Sequence, residues 1–372
     1  MRPQLHIGID CRLPTYQMGG ISQYAIHLVR ALAELGGAER YTVFHSRKET
    51  RSFLPSDDRF SRSELWTPPH HRLERWALAA ELARHRLDVF HSPDFIPPAG
   101  GVGRRIITVH DLNFLYYPDY LTAESRRYYA DQIAWAVAAA DHISADSEAT
   151  RADLLALLHV PPDKVTTIHL AANPVYCAAY PAAVIDQTLA KYELERGFLL
   201  AVGTLEPRKN LTTLLRAYDR LRREAGVLAP LVLAGRQGWL YDEVFQTIER
   251  LGLASSVRHL SGAPDVELAH LYRAAGVLAF PSHYEGFGLP ALEAMHAGCP
   301  VVVSDRGSLP EVVGRAGVIL PPDDVEAWAA ALARVLGDAE YADGLRQAGY
   351  EQARRFTWQK TAAATLRLYR GE

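Results

Sequence analysis

The sequence predicts an α/β protein built as two parallel-sheet halves. Three observations predict it. Short apolar runs of strand length alternate with stretches in which apolar residues recur at helical spacing, and the alternation occurs in both halves of the chain. A length of 372 residues makes two domains the natural division. A hydrophobic content of 48% is enough to fill two cores.

The elements follow in order. Residues 6–11 read as a first strand, and 22–35 as a helix with Ala25, Leu28, Val29 and Leu32 on its inner face. Further strands are expected at 41–45, 89–91, 105–110 and 142–145, with a long helix at 124–140. Residues 165–169 form the last strand of this half, and the Ala172-Asn173-Pro174 turn leads into the linker. The second half places strands at 198–202, 230–234, 257–261, 276–280 and 300–303, separated by helical segments, as in a parallel sheet covered on both faces. Phe356-Thr357-Trp358 opens a final helix to Tyr369. The domain limits are therefore 1–174, 175–355 and a terminal helix at 356–372. Gly100-Gly101-Val102-Gly103 has the look of a dinucleotide loop, but it precedes a strand instead of opening a helix and is read as a turn.

Composition narrows the function classes. A net charge of −3 gives no support for a nucleic-acid partner. Cys11, Cys177 and Cys299 lie far apart without metal-ligand spacing, so free thiols in a reducing cytosol are expected and no metal site. The start Met1-Arg2-Pro3-Gln4 runs directly into a strand without a signal-peptide pattern, and no apolar run is long enough to span a membrane.

Chemistry concentrates in two segments. Phe280-Pro281-Ser282-His283-Tyr284-Glu285-Gly286-Phe287-Gly288-Leu289-Pro290 passes from strand through glycine turn to helix, and Glu293 follows two turns later. Gly286 and Gly288 leave the backbone bare for close approach by a ligand, and the helix start favours an anion. Gly203-Thr204-Leu205-Glu206-Pro207-Arg208-Lys209-Asn210 follows another buried strand. Lys209 is one of five lysines in the chain, and it stands beside Arg208 at the carboxyl end of a strand, where open α/β sheets bind ligands. An arginine fork and a lysine point charge together can neutralise a pyrophosphate. The plainer reading is a solvated basic turn, although cations at a helix start oppose its dipole.

Together these residues resemble the retaining glycosyltransferases of family 4, which have the GT-B fold. The resemblance also covers Gly19-Gly20-Ile21, Val109-His110-Asp111-Leu112, Ala145-Asp146-Ser147-Glu148, Gly298-Cys299-Pro300-Val301-Val302 and Ser308-Leu309-Pro310-Glu311-Val312-Val313, so it spans nearly the whole chain. It implies two Rossmann-like domains facing across a cleft, with the last helix crossing back onto the first. It assigns Arg208 and Lys209 to the donor diphosphate, Glu285 to donor-sugar hydroxyls and Glu293 to the ribose. Backbone around Gly286, Phe287, Gly288 and Leu289 would support sugar and phosphate, and the loop of Gly19 and Gly20 would reach the donor from the other domain. His110 matches a residue facing the anomeric carbon; Asp111 either orients it or binds sugar. Ser147 is a further candidate, and Leu260 to Pro264, including Ala263, matches the loop that reads the base.

The resemblance implies a metal-independent transfer with retention of configuration, and no DxD motif is visible. No cofactor is expected, since the nucleotide sugar is a substrate. His110-Asp111-Leu112-Asn113-Phe114-Leu115 with Tyr117-Pro118 resembles bacterial mannosyltransferases, which favours GDP-mannose; UDP-glucose, UDP-GlcNAc and deoxysugar donors stay open. A glycan or lipid-linked glycan is expected as the acceptor. Residues 70–86 read as a helix with Leu73, Trp76, Ala77 and Ala80 on one stripe flanked by Arg72, Arg75, Arg84 and Arg86, either packed on the core or resting on an anionic membrane. A sugar-nucleotide epimerase and a non-catalytic sugar-nucleotide-binding protein are the rival classes.

Overall fold

The computed structural model describes residues 4–16, 18–120 and 123–372, and the chain start Met1-Arg2-Pro3 lies outside them. The chain forms two compact units, Met1–Ala171 with Thr357–Glu372, and Ala172–Phe356. The division falls between 171 and 172, against the expected 174.

The first unit carries a parallel sheet of β1 (His6–Asp10), β2 (Arg40–Ser46), β3 (Phe60–Leu65), β4 (Val89–Ser92), β5 (Arg104–Val109), β6 (His142–Ala145) and β7 (Val165–Thr167), ordered β3-β2-β1-β4-β5-β6-β7. Central strands are buried along their length: every residue of β4 is buried, and Ile7 and Ile9 of β1 are fully so. That is the continuous apolar run expected when helices cover both faces. β3 was not anticipated. Its sequence Phe-Ser-Arg-Ser-Glu-Leu is buried only at its two ends, so an edge position leaves its middle polar and hides the pattern.

The second unit has β8 (Leu199–Val202), β9 (Leu231–Ala234), β10 (Val257–Leu260), β11 (Val277–Phe280), β12 (Val301–Ser304) and β13 (Val318–Leu320), ordered β10-β9-β8-β11-β12-β13 and all parallel. Leu214, Leu215 and Tyr218 of the helix Leu211–Ala225 join Trp328 and Leu332 in one core over this sheet. Strand order reverses once in each sheet, at β1/β4 and at β8/β11. Such switch points open a crevice beyond the carboxyl ends of the strands.

The final helix Trp358–Arg370 belongs to the first unit. Thr357 caps it by accepting from Lys360 N, and Thr361 Oγ1 donates to His169 O at 2.7 Å. Near its end Tyr369 is buried, with its hydroxyl 2.7 Å from His91 Nδ1.

The 70–86 segment differs from its expected stripe. The α-helix runs Glu74–Leu82 and turns inward Glu74, Leu78 and Leu82, while Leu73 and Trp76 are each 51% exposed. The inward glutamate has a buried cation to meet, so a charged residue shares the inner face with Leu78 and Leu82. Among the described residues, no helix is long and apolar enough to cross a membrane.

Candidate active site

The β8/β11 switch point of the second unit gathers Arg208, Lys209 and Glu285 of the predicted residues. β8 is followed by Gly203, whose φ of 140° is one that side chains rarely adopt, and a Cβ on Gly235 would fall 1.9 Å from its carbonyl. The chain then makes a 3-10 turn, Pro207–Lys209, and passes through Asn210 in the left-handed conformation into the helix Leu211–Ala225. From the neighbouring strand β11, the loop leads to the helix Leu289–His296. His283 N donates to Arg208 O at 2.8 Å and ties the two loops together.

Both cations meet Glu285. Lys209 Nζ lies 2.6 Å from Glu285 Oε1, and Arg208 NH1 lies 2.9 Å from Glu285 Oε2. Arg208 also donates through NH2 to Glu206 Oε1 at 2.7 Å and through NH1 to Tyr284 O at 2.6 Å. The cluster is largely withdrawn from water: Lys209 is 9% exposed and Glu285 7%. Burial pushes the Glu285 carboxyl up, but the Arg208 and Lys209 charges outweigh it and hold it at about 2. Burial and the Arg208 charge lower the Lys209 ammonium.

The backbone of Glu285 is pinned as well. Ser308 N and Oγ donate to its carbonyl at 3.1 and 3.0 Å. Gly307, at φ 56°, packs so closely that a Cβ would lie 2.4 Å from that oxygen. Gly286 and Phe287 are buried, and the Phe287 ring meets Phe356 edge-on at 5.7 Å. Gly288 caps the helix at φ 86°, and a Cβ there would fall 2.5 Å from Leu309 Cδ2, so a side chain at the turn into Leu289 would be strained.

Glu293 stands apart from the cations. Tyr272 OH donates to its Oε2 at 3.0 Å. Burial pushes this carboxyl up to about 8 despite that bond. Leu260 ends β10, its carbonyl accepting from Gly235 N at 2.9 Å, and Ala263 lies in the turn before the helix Asp265–Ala274.

In the first unit, His110 follows β5. Its Nδ1 lies 2.6 Å from Asp146 Oδ2 and its Nε2 2.8 Å from Pro93 O. A carboxylate and a carbonyl both accept, so both ring nitrogens carry protons. Burial alone would lower this imidazole; the Asp146 charge and hydrogen bond, with the Pro93 carbonyl, raise it to about 9. Tyr24 supports the ring edge-on at 5.3 Å. Asp111 accepts instead from Asn113 N at 3.1 Å and from its side chain. Ser147 is the N-cap of the helix Glu148–Leu158, accepting from Thr150 N. Gly19 and Gly20 lie at the N-terminus of the helix Gly20–Leu35, and a Cβ on Gly20 would meet only open space.

Comparison with known proteins now bears on this geometry. Residues 186–352 match the family described as "Glycosyl transferases group 1", and residues 18–175 match "Glycosyltransferase Family 4". The O-antigen chain mannosyltransferase B of Escherichia coli is 33% identical over 95% of this chain and 97% of its own. The chain belongs to glycosyltransferase family 4. The enzyme also shares the GT-B fold with solved structures: sucrose-phosphate synthase from Thermosynechococcus elongatus superposes at a TM-score of 0.77 with 22% identity, covering 99% of both chains. WaaG, a glycosyltransferase of lipopolysaccharide biosynthesis, superposes at 0.75 with 18% identity, covering 99% of this chain and 100% of its own.

Several residues of this glycosyltransferase's site escaped sequence reasoning. Asp146 is the partner of His110, where Asp111 had been the candidate. The signal was available in the strand register: Val109 pairs with Ala145 in the parallel β5/β6 ladder, so the residue after each strand stands side by side. Glu206, Tyr272 and Gly307 had no such signal: Glu206 turns back onto Arg208 two positions on, and Tyr272 and Gly307 meet Glu293 and Glu285 from separate elements.

Proposed function

We propose that this glycosyltransferase moves mannose from GDP-mannose to a glycan acceptor, with retention of configuration and without a metal ion. The observation that carries the reading is the Arg208–Lys209–Glu285 cluster at the switch point of the second sheet. The mannosyl assignment is supported by the 33% identical relative, which is named a mannosyltransferase. UDP-glucose, UDP-GlcNAc and a deoxysugar nucleotide are the competing donors.

In this reading the donor's diphosphate competes with Glu285 and Glu206 for the two cations. Breaking the sugar–phosphate bond builds negative charge on that diphosphate, which Arg208 and Lys209 stabilise in a site already shielded from water. Glu285, turned loose from part of its ion pairing, accepts hydrogen bonds from sugar hydroxyls. His110, protonated at both nitrogens, acts as a hydrogen-bond donor and a positive charge; it has no free lone pair with which to act as a base. In a retaining transfer the leaving phosphate itself takes the acceptor's proton on the same face, so no protein base is needed.

The test is transfer from GDP-mannose against the three competing donors, with and without saturating EDTA. Mannose transfer that keeps most of its rate in EDTA is expected, because the side chains supply the positive charge. Preference for a UDP sugar overturns the donor assignment; complete loss in EDTA restored by Mg²⁺ overturns the charge argument.

Glu293 is assigned to the ribose, and its environment makes that testable. Its folded pKa of about 8 lies above the unfolded value of 4.5, so folding takes up a proton and stability falls as pH rises from the lower value to the higher. Glu293→Gln mimics the protonated acid. The melting temperature of the variant minus that of the wild type is expected to grow between pH 5 and pH 8. At pH 8 the variant's affinity for GDP is expected to drop by about 1.5–3 kcal/mol, the size of a hydrogen bond to a charged group. Unchanged GDP affinity by calorimetric titration removes Glu293 from the nucleotide site.

A further inference from the structure

Glu293 reaches the candidate donor site with one oxygen already engaged. The helix Leu289–His296 carries it, and the residue is half-buried. Its Oε2 accepts the Tyr272 hydroxyl at 3.0 Å, whereas among the described residues no hydrogen bond or ion pair reaches Oε1. The residue after Tyr272 is a cation, Arg273, but it is turned away from the acid. Its guanidinium donates through NH2 to Tyr176 O at 2.8 Å and through NH1 to Ala269 O at 3.0 Å. A neutral hydroxyl therefore holds the carboxyl that a neighbouring cation could have paired.

Tyr272 is placed to present that hydroxyl and nothing else. Its side chain, on the helix Asp265–Ala274, is fully buried. Tyr176 packs edge-on against its ring, with centroids 5.7 Å apart and planes at 81°. The hydroxyl of Tyr176 is engaged elsewhere: it donates to Asp265 Oδ1 at 3.2 Å, and Asp265 Oδ2 lies 3.4 Å from Asn173 Nδ2. Among the described residues, Glu293 is the one partner of the Tyr272 hydroxyl. A phenylalanine would fill the same core volume, so the oxygen answers to Glu293 and not to packing. Buried polar atoms need such a partner, and this one is shared between a core helix and the site.

The bond also fixes a side chain that would otherwise wander. An untethered glutamate populates several rotamers, and a ligand that needs one of them bears the entropy of selecting it. With Oε2 held from behind, Oε1 is the oxygen left for a ligand hydroxyl. A ligand without that hydroxyl would leave Oε1 covered and unpaired, and a site built around a hydrogen bond discriminates strongly against such an analogue.

We propose that Tyr272 is a positioning residue for the donor nucleotide: its hydroxyl holds Glu293 so that Oε1 meets the ribose hydroxyls, and the pair makes the site select ribonucleotides over nucleotides that lack them. The proposal rests on the assignment of Glu293 to the ribose in the reading above.

The experiment is calorimetric titration of the full chain at pH 8 with GDP and with dideoxy-GDP, which lacks both ribose hydroxyls. The wild type is expected to favour GDP by at least about tenfold, the scale of one hydrogen bond to a charged group. Glu293→Gln should remove most of that preference. Tyr272→Phe should shrink it about fivefold, the entropy of one released glutamate side chain, while dideoxy-GDP affinity stays within about twofold of the wild type. A merely structural role would weaken both nucleotides alike, and that result overturns the proposal. The double variant Tyr272→Phe/Glu293→Gln strands no carboxyl against a missing hydroxyl, so it decides the matter if the single variant folds poorly. It should match Glu293→Gln with both nucleotides, because residues acting through one another do not add. A further loss of GDP affinity in the double variant overturns the proposal. So does a preference for GDP that Tyr272→Phe leaves intact while Glu293→Gln abolishes it, and in that case the ribose assignment stands. Equal binding of the two nucleotides by the wild type, or a preference that survives Glu293→Gln, strikes the ribose assignment itself and this inference with it.

Discussion

Replacing Arg208 or Lys209 by alanine is expected to lower the transfer rate by about 10²-fold or more, the usual loss when one oriented charge donor is removed from developing negative charge. The two variants should differ in stability. Lys209 is 9% exposed, and its ammonium holds Glu285 Oε1 at 2.6 Å, so Lys209→Ala leaves a buried carboxylate with a single cation. Removing one partner of a buried pair commonly costs about 3–5 kcal/mol; here the Arg208 contact at 2.9 Å remains, and the loss should fall at or below the low end. Arg208→Ala frees Glu206 as well as Glu285, but the arginine side chain is 15% exposed and water can reach the gap. The check is kcat/KM with GDP-mannose beside a thermal melt for each variant. Near-normal turnover in either one removes that residue from the diphosphate site, whatever its stability.

The extent to which this was legible in sequence follows from what kind of contact makes each feature. The α/β alternation was readable because a strand covered on both faces must be apolar along its whole length; Leu199, Leu200 and Ala201 of β8 are all buried. Edge strands broke that rule. β3 exposes its middle and β13 is half-buried throughout, and neither was anticipated. The helix after residue 70 misled for a related reason: its inward face takes in Glu74, which meets Arg12, a pairing between residues 62 positions apart that no periodicity reports. Arg208, Lys209 and Glu285 were legible as a group because glycine turns, a rare lysine and a strand end coincided in two short segments. Their mutual closure was not. Each cation looked like a side chain held ready in a cleft, whereas the fold brings both onto one carboxylate.

That closure makes Glu285→Gln the most informative single change. Two effects are expected, in different assays. In stability, the folded carboxyl sits at about 2 against 4.5 unfolded, so its ion pairing contributes above the unfolded value and is lost as pH falls through about 2. The difference corresponds to about 3 kcal/mol at neutral pH. Glu285→Gln gives up that contribution and leaves Lys209 and Arg208 facing an amide, so the variant should melt lower at pH 7, with the gap to the wild type closing as both approach pH 2. In catalysis, the sugar loses a charged acceptor, and kcat should fall by about 10²-fold, since hydrogen bonds to a charged group are the strong ones. Binding of free GDP should move the other way. Arg208 and Lys209 no longer spend their charge on Glu285, so a diphosphate meets two less encumbered cations and its affinity should hold or rise. Calorimetric titration with GDP decides between this account and its inverse. If Glu285→Gln loses GDP affinity while turnover with saturating donor is preserved, the carboxylate holds the nucleotide and not the sugar. If rate, affinity and melting temperature all stay put, the ion cluster is a solvated crossover and the donor site lies elsewhere.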